Sequence, residues 1–388
     1  MKIKSRNILY SILFLSLSVN VAVLLLDTIP YVQPKITNKY FEKETLTEIT
    51  EKTEYLIADR ALEMISSSKP VMVWDEPKGF TETLLSKNHI TSTKEFRLHN
   101  YPRAFLYYGL SEYLIKNNKK EELLELKHAF DQLYDFENID KIEINRIDQV
   151  PFGLTALNLY EKFNEEKYLK FSKILYDFII ESIGPDDMIS YRKGQQLILN
   201  DMLGMVVPFC IKYSEYIESE KIIPIVKNQL DYFIRYGIDP ETFIPAHAIN
   251  RIEKRKVGSS NWGRGIGWYI MALSQYHKLT GEKQIELTGL LSSLNSLKNS
   301  KNLWSQFPGS SDRFDASATV MFLYAMVLVD KEAFNKQEIL QRLKSYISDE
   351  GIILETSGDT YAVNNYSNTF GKSELSQGVL LLLLANSK

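Results

Sequence analysis

Six strongly apolar runs recur along the chain: FLYYGLSEYL from Phe105, LTALNLYEKF from Leu154, MVVPFCIKYSEY from Met205, WYIMALSQYHKL from Trp268, TVMFLYAMVLV from Thr319 and VLLLLLA from Val379. Each follows a short polar, aromatic or glycine-containing cluster: HNYPR at His99, DQVPFG at Asp148, NDMLG at Asn200, NWGRGIGW at Asn261, RFDASA at Arg313 and KSELSQG at Lys372. The runs are apolar nearly all round, as helices packed on every side should be. Between them lie segments with a single apolar stripe. Tyr168, Phe171, Leu175 and Phe178 fall at intervals of three and four within 165–182. Ile222, Val226, Leu230 and Phe233 do the same within 219–236, and Gly237 supplies a stop. Segments 45–66, 120–137, 282–297 and 332–348 repeat the style. The pattern predicts six outer helices, each paired with an inner one.

Leu106, Leu154, Met205, Trp268 and Thr319 mark similar points in successive inner runs, about fifty residues apart. Such a period is that of a helical-repeat architecture. Six pairs predict an all-α fold, an (α/α)6 toroid, with an open solenoid as the alternative. In a closed ring the inner helices run parallel, and their starts gather at one mouth. The long connections 67–98, 237–261, 298–313 and 349–373 are of a length usually reserved for function in a helical domain.

The N-terminus differs in kind. Lys2, Lys4 and Arg6 precede an uncharged run from Ile8 to Leu26, long enough to cross roughly 30 Å of hydrocarbon as a helix. The basic flank stays inside. The expected division is therefore a cytoplasmic tail at 1–7, a single-pass transmembrane anchor at 8–26, a linker at 27–39 containing Pro30 and Pro34, and an extracytoplasmic toroid at 40–388. A cleaved signal peptide is the competing reading, although Leu24-Leu25-Leu26-Asp27 is a poor cleavage site.

Composition narrows the chemistry. Hydrophobic content of 44% supplies ample core, and a net charge of −3 offers no basic face for nucleic acid. The single cysteine, Cys210, excludes an intramolecular disulfide and a multi-cysteine metal site, and reads as a buried small hydrophobe. His89, His99, His128, His247 and His277 do not pair at metal-ligand spacing. No G-x-S-x-G elbow occurs. Gly263, Gly265 and Gly267 lack the preceding strand of a dinucleotide turn, so they are read as sites of close helix approach. Neither a metal nor an organic cofactor is expected, and a monomer is.

Asp148 and Asp201 each open an inner run. Asp is a common helix N-cap, but two carboxyls sharing one mouth would raise each other's pKa and suit acid/base work. The fork of donors on Arg264 suits a carboxylate, or braces a loop. Trp262, Trp268 and Trp304 offer flat faces for a sugar, or packing. His247 could hydrogen-bond substrate or water.

Trp262-Gly263-Arg264-Gly265-Ile266-Gly267-Trp268 resembles the W-x-R-G-x-G-W helix opening of glycoside hydrolase families 88 and 105, the unsaturated glucuronyl and unsaturated rhamnogalacturonyl hydrolases. Asp201 in NDMLGMVVPF is similar to their D-x-x-x-M-x-x-P-F segment, which carries the catalytic acid. Asp148 in IDQVPFG stands at their second acidic position. Asp315-Ala316-Ser317-Ala318 and Ser376-Gln377-Gly378 resemble late motifs lining the same cleft. The chain departs at Pro245-Ala246-His247-Ala248-Ile249-Asn250, where the families commonly have His-Gly-Trp-Asp and only the histidine remains. The resemblance implies a six-hairpin toroid that hydrates the 4,5 double bond of an unsaturated uronyl residue on an acidic oligosaccharide. It implies Asp201 and Asp148 as catalytic residues and places Gln377 in the cleft; Arg264, Trp262, Trp268, His247 and Trp304 join it as substrate-binding candidates on their own chemistry. The alternatives are a non-catalytic or biosynthetic protein that binds surface polysaccharide in the funnel, and another glycosidase or lyase on the same toroid.

Overall fold

Helices apolar on every side must find neighbours on every side, and a ring inside a ring provides them. The computed structural model describes residues 2–37, 45–71, 80, 81, 84, 94–192, 194–310, 313–360 and 362–388. The chain forms two compact units, Met1–Glu44 with Asp75–Arg97, and Thr45–Trp74 with Leu98–Lys388.

In the first unit, helix α1 (Lys2–Thr37) passes through Pro30 and Pro34. The stretch expected as a linker is thus helical as far as Thr37, and residues 38–44 lie outside the described residues. Its segment Arg6–Ile29 is long and apolar enough to cross a membrane and is not buried.

The second unit is the toroid. Its inner helices are α3 (Tyr101–Lys116), α5 (Phe152–Phe163), α7 (Asp201–Tyr213), α9 (Gly263–Thr280), α11 (Ala316–Val329) and α13 (Glu374–Asn386). Its outer helices are α2 (Thr53–Ser66), α4 (Lys120–Leu133), α6 (Glu166–Glu181), α8 (Ser219–Tyr236), α10 (Gln284–Ser296) and α12 (Lys336–Leu343). Each inner helix packs on the next, and α13 packs on α3, so the ring closes. Closure decides against the open solenoid. Most outer helices are shorter than expected, because their segment ends are turns: α2 begins at Thr53 rather than residue 45, and α12 stops at Leu343, whereas α8 fills the whole expected segment 219–236.

Closure depends on two residues without side chains. A Cβ on Gly109 would lie 1.9 Å from the Gly378 carbonyl oxygen, and one on Gly378 would lie 2.2 Å from that of Phe105. The α3 and α13 backbones therefore touch directly, which only glycine permits. Around this seam the apolar stripes meet as their spacing predicts. Ile222, Val226, Leu230 and Phe233 of α8 are buried, as are Tyr168, Phe171 and Leu175 of α6, with Phe178 half-buried. Each such burial stabilises the fold by about 1.5–3 kcal/mol before chain entropy is set against it. Cys210 is buried in the same core.

Short turns join each inner helix to the following outer one, and long connections lead back. All six inner N-termini consequently face the long loops. Two small sheets stiffen these loops. In one, β1 (Leu197–Leu199), β2 (Ala248–Asn250) and β3 (Arg255–Val257) pair antiparallel, with Leu199 opposite Ala248. In the other, β4 (Thr356–Ser357) pairs with β5 (Phe370–Gly371).

Candidate active site

The register of β1 and β2 sets the first contact. Asn200 and Asp201 follow β1, and His247 precedes β2, so an antiparallel pair brings them side by side. The Asn200 N–H donates to the His247 carbonyl at 2.9 Å. His247 Nε2 then stands 3.3 Å from Asp201 Oδ2, within ion-pair range but without the alignment of a hydrogen bond. On the far side of the imidazole, Nδ1 lies 3.2 Å from the Tyr366 hydroxyl, whose oxygen also accepts the Ser259 N–H at 3.1 Å. An ionised Asp201 favours a proton on Nε2, which leaves Nδ1 to accept from Tyr366. Trp262 packs over the imidazole, with ring centroids 4.4 Å apart.

Asp201 is the first residue of α7, and the flanking Asn200 makes no capping bond to the helix. Asp148 lies in the 3-10 turn Ile147–Gln149 and makes no cap to α5 either. Neither carboxylate is used as the N-cap that its position suggested. Instead, Asp148 Oδ1 accepts the Tyr191 hydroxyl at 2.5 Å. Burial pushes the Asp148 carboxyl above its usual range and Asp201 adds to the rise, while Tyr191 and Arg146 oppose it. Burial also drives the Tyr191 phenol well up, with Asp148, Asp201 and Asp359 contributing, so Tyr191 remains a donor.

A third carboxylate completes the cluster. Asp359, on the connection between β4 and β5, accepts the Tyr101 hydroxyl at 2.9 Å and the Thr360 N–H at 3.0 Å, both on Oδ1. Burial is the main cause that raises its carboxyl to about 6. Arg264 and Tyr101 work against the rise, and Asp201 works with it. Arg264 is buried beneath this loop. Its Nη1 donates to the Ser357 carbonyl and its Nη2 to the Gly358 carbonyl, both at 2.7 Å, with Asp359 Oδ1 3.6 Å away. The guanidinium therefore holds the Asp359 loop in place and stands as the counter-charge to Asp359.

The cluster gathers Asp148, Asp201, His247, Arg264 and Trp262 as their motifs anticipated. Other expected residues serve packing. Trp304 is fully buried, donates its indole N–H to the Leu294 carbonyl at 2.8 Å and lies edge-on to Phe322. Gln377 is likewise buried and spends its amide on the Ile57 and Gly351 carbonyls and the Ile353 N–H. Trp268 is enclosed by Tyr101 and Phe105. All three tryptophans of the sequence expectation are buried, so none presents an open face to a sugar. Gly263, Gly265 and Gly267 sit where a Cβ would strike Ala318, Trp262 and Met321, a matter of close packing. Tyr101, Tyr191, Asp359 and Tyr366 were not singled out from the sequence. Asp359 and Tyr366 lie in the connection 349–373, whose length was the only signal.

Known proteins share the fold that carries this cluster. The fold is similar to that of a possible GH105 member from Klebsiella pneumoniae, with a TM-score of 0.69 and 15% identity over 87% of this chain and 93% of that one. It is similar to a family 88 glycosyl hydrolase from Bacteroides vulgatus, with a TM-score of 0.56 and 13% identity over 85% and 98%. An inactive variant of an α-1,6-mannanase from Salegentibacter, in complex with α-1,6-mannotriose, matches with a TM-score of 0.59 and 14% identity over 86% and 98%. At these identities the likeness establishes the six-hairpin fold. The sequence itself matches the model of Glycosyl Hydrolase Family 88 over residues 77–369. Because that match spans well over half of its length, the chain belongs to Glycosyl Hydrolase Family 88 and is a glycoside hydrolase.

Proposed function

We propose that the enzyme hydrates the 4,5 double bond of an unsaturated uronyl residue at the non-reducing end of an oligosaccharide. The observation that carries this reading is Asp201, poised at the start of α7 with Oδ2 lacking an aligned hydrogen bond and His247 3.3 Å away. A group that must give and then take a proton needs such an uncommitted oxygen. In the proposed reaction Asp201 delivers a proton to C4, and water adds at C5 while returning its proton to the carboxylate. C5 then carries both a hydroxyl and the ring oxygen. This hemiketal opens to a ketone, and the freed hemiacetal at C1 releases the next sugar. His247 lies beside Asp201, and Asp148, held by Tyr191, stands in the same cluster.

Helix α1 is proposed as a membrane anchor for the toroid on the extracytoplasmic side, on the basis of its apolar segment Arg6–Ile29 and the basic residues before it. The direct test of the activity uses the full-length chain in non-ionic detergent with unsaturated uronyl disaccharides, following loss of the double-bond absorbance. Steady loss with release of the second sugar supports the reading. An unchanged absorbance across several linkages, with a folded protein, rejects it.

A further inference from the structure

We propose that Asp359 is a specificity-determining residue that makes binding of an acidic sugar depend on uptake of one proton, its carboxyl acting as the donor to the incoming carboxylate. The inference rests on the uronyl reading above and deepens it.

Three carboxylates, Asp148, Asp201 and Asp359, line one mouth, and Arg264 is committed to the loop that carries Asp359. Asp201 must carry the proton it delivers, so a uronate brings its negative charge beside those of Asp148 and Asp359, and like charges close together repel. One group must therefore become neutral, and the geometry distinguishes which. Asp148 is only 5% exposed, with Oδ1 taken by the Tyr191 hydroxyl. Asp201 is needed for the proton transfer itself. Asp359 Oδ1 is occupied by Tyr101 and Thr360, whereas Oδ2 has no hydrogen-bond partner among the described residues, and the side chain is 20% exposed. A proton on Oδ2 would point out of the loop as a free donor. A buried carboxyl kept neutral near pH 7 to donate a hydrogen bond is an established device in other enzymes. Asp359, raised to about 6, is close to that condition.

The groups that face Asp359 come from every neighbouring element. They are Tyr101 at the start of α3, Asp201 at the start of α7, Arg264 in the first turn of α9 and Tyr191 from the connection before β1. Asp315, which caps α11, acts on Arg264 and is itself satisfied by Ser317 and Ser357. Tyr101 and Tyr191 are held neutral by burial, which raises both well above the usual phenol value. Asp359→Asn removes this one carboxyl and leaves Asp201 and His247 in place, so the difference between variant and wild type reads the share that belongs to Asp359.

The test measures binding rather than turnover, with a saturated glucuronyl disaccharide and its neutral methyl ester titrated into the full-length chain from pH 5 to pH 8. The wild type should bind the acid about tenfold more weakly for each pH unit above 6, the factor for one obligatory proton. At pH 7 it should take up nearly one proton on binding, read from the buffer dependence of the heat. Asp359→Asn supplies a permanent amide donor of the same shape. It should bind the acid at pH 8 as the wild type does at pH 5, with almost no proton uptake. The methyl ester should bind both proteins with little pH dependence. A shared pH profile for wild type and variant overturns the proposal, as does an ester that follows the acid or an acid that binds at no pH. If Asp359→Asn melts early, the acid-against-ester comparison in the wild type alone decides. Absence of turnover on unsaturated substrate would reject the hydration reading separately, because these ligands are never turned over.

Discussion

Two buried arginines near the starts of inner helices meet carboxylates in this molecule, and their surroundings separate structure from chemistry. Arg103 of α3 meets Glu374, the first residue of α13, at 3.2 Å, with both side chains essentially sealed. Arg103 also donates to the Met64, Ile65 and Ser67 carbonyls at the end of α2, and Glu374 accepts the Val71 N–H. This pair ties three helices together beside the glycine seam. Arg264 likewise meets carbonyls and a carboxylate, yet its partner Asp359 sits on a loop with one oxygen free. The same chemical pair closes a ring when sealed and stands in the candidate active site when one end is left open.

The sharpest way to break the comparison is Arg103→Met, which leaves Glu374 buried without its counter-charge. Chemical denaturation should show a loss of about 3–5 kcal/mol, the usual result of removing one partner of a buried pair. Activity per folded molecule should hold, because Arg103 spends its hydrogen bonds on Glu374 and the end of α2 rather than on Asp201, His247 or Asp359. A loss below 1 kcal/mol would show that the sealed pair is not what holds the seam.

At the open end the largest effect should be on rate. Asp201→Asn should lower turnover by about a hundredfold or more, the scale for a positioned acid/base group. Its melting temperature should stay near that of the wild type, since Asp201 makes no capping bond. Unchanged turnover would remove Asp201 from the chemistry.

Arg264→Lys sharpens the contrast between bracing and recognition. Lysine keeps the charge but cannot hold two carbonyls and Asp359 in one plane. Stability should fall by about 1–3 kcal/mol, as for lost hydrogen bonds to a charged group, and acidic and neutral ligands should weaken alike. Selective loss of the acidic ligand with an unchanged melting curve would assign Arg264 to the substrate carboxylate instead.

The smallest effect is a slope with pH. Burial is the main cause that raises Glu374 to about 7, with Arg103 opposing it. A raised carboxyl means that the folded state binds the proton more tightly than the unfolded one. Its contribution to stability is complete below the ordinary glutamate value near 4.5 and is lost as pH rises through about 7. Wild-type stability should therefore decline from pH 5 to pH 8 by about 2 kcal/mol more than that of Glu374→Gln. Parallel curves would show that Arg103 offsets the burial fully. Asp359 contributes in the same direction, diminished by its access to solvent.

The period of apolar runs near Leu106, Leu154, Met205, Trp268 and Thr319 was enough to define the helical hairpins, because a stripe of buried residues has to repeat with the helix that carries it. The W-x-R-G-x-G-W and D-x-x-x-M-x-x-P-F segments located Asp201 and Arg264 because local backbone demands keep such motifs contiguous. Contiguous sequence could not say what Arg264 would hold. Its partners Ser357, Gly358 and Asp359 lie more than ninety residues away and arrive only through ring closure and the β4–β5 pairing. Nor could it separate Trp262, beside His247, from Trp304, whose indole is spent on Leu294, because an aromatic residue has the same local signature in a cleft and in a core. Tyr101, Tyr191 and Tyr366 were lost among the 23 tyrosines of the chain. The sequence determined the helices and the place of the mouth. Tertiary structure decided which side chains share that mouth, because distances between loops depend on how six hairpins close.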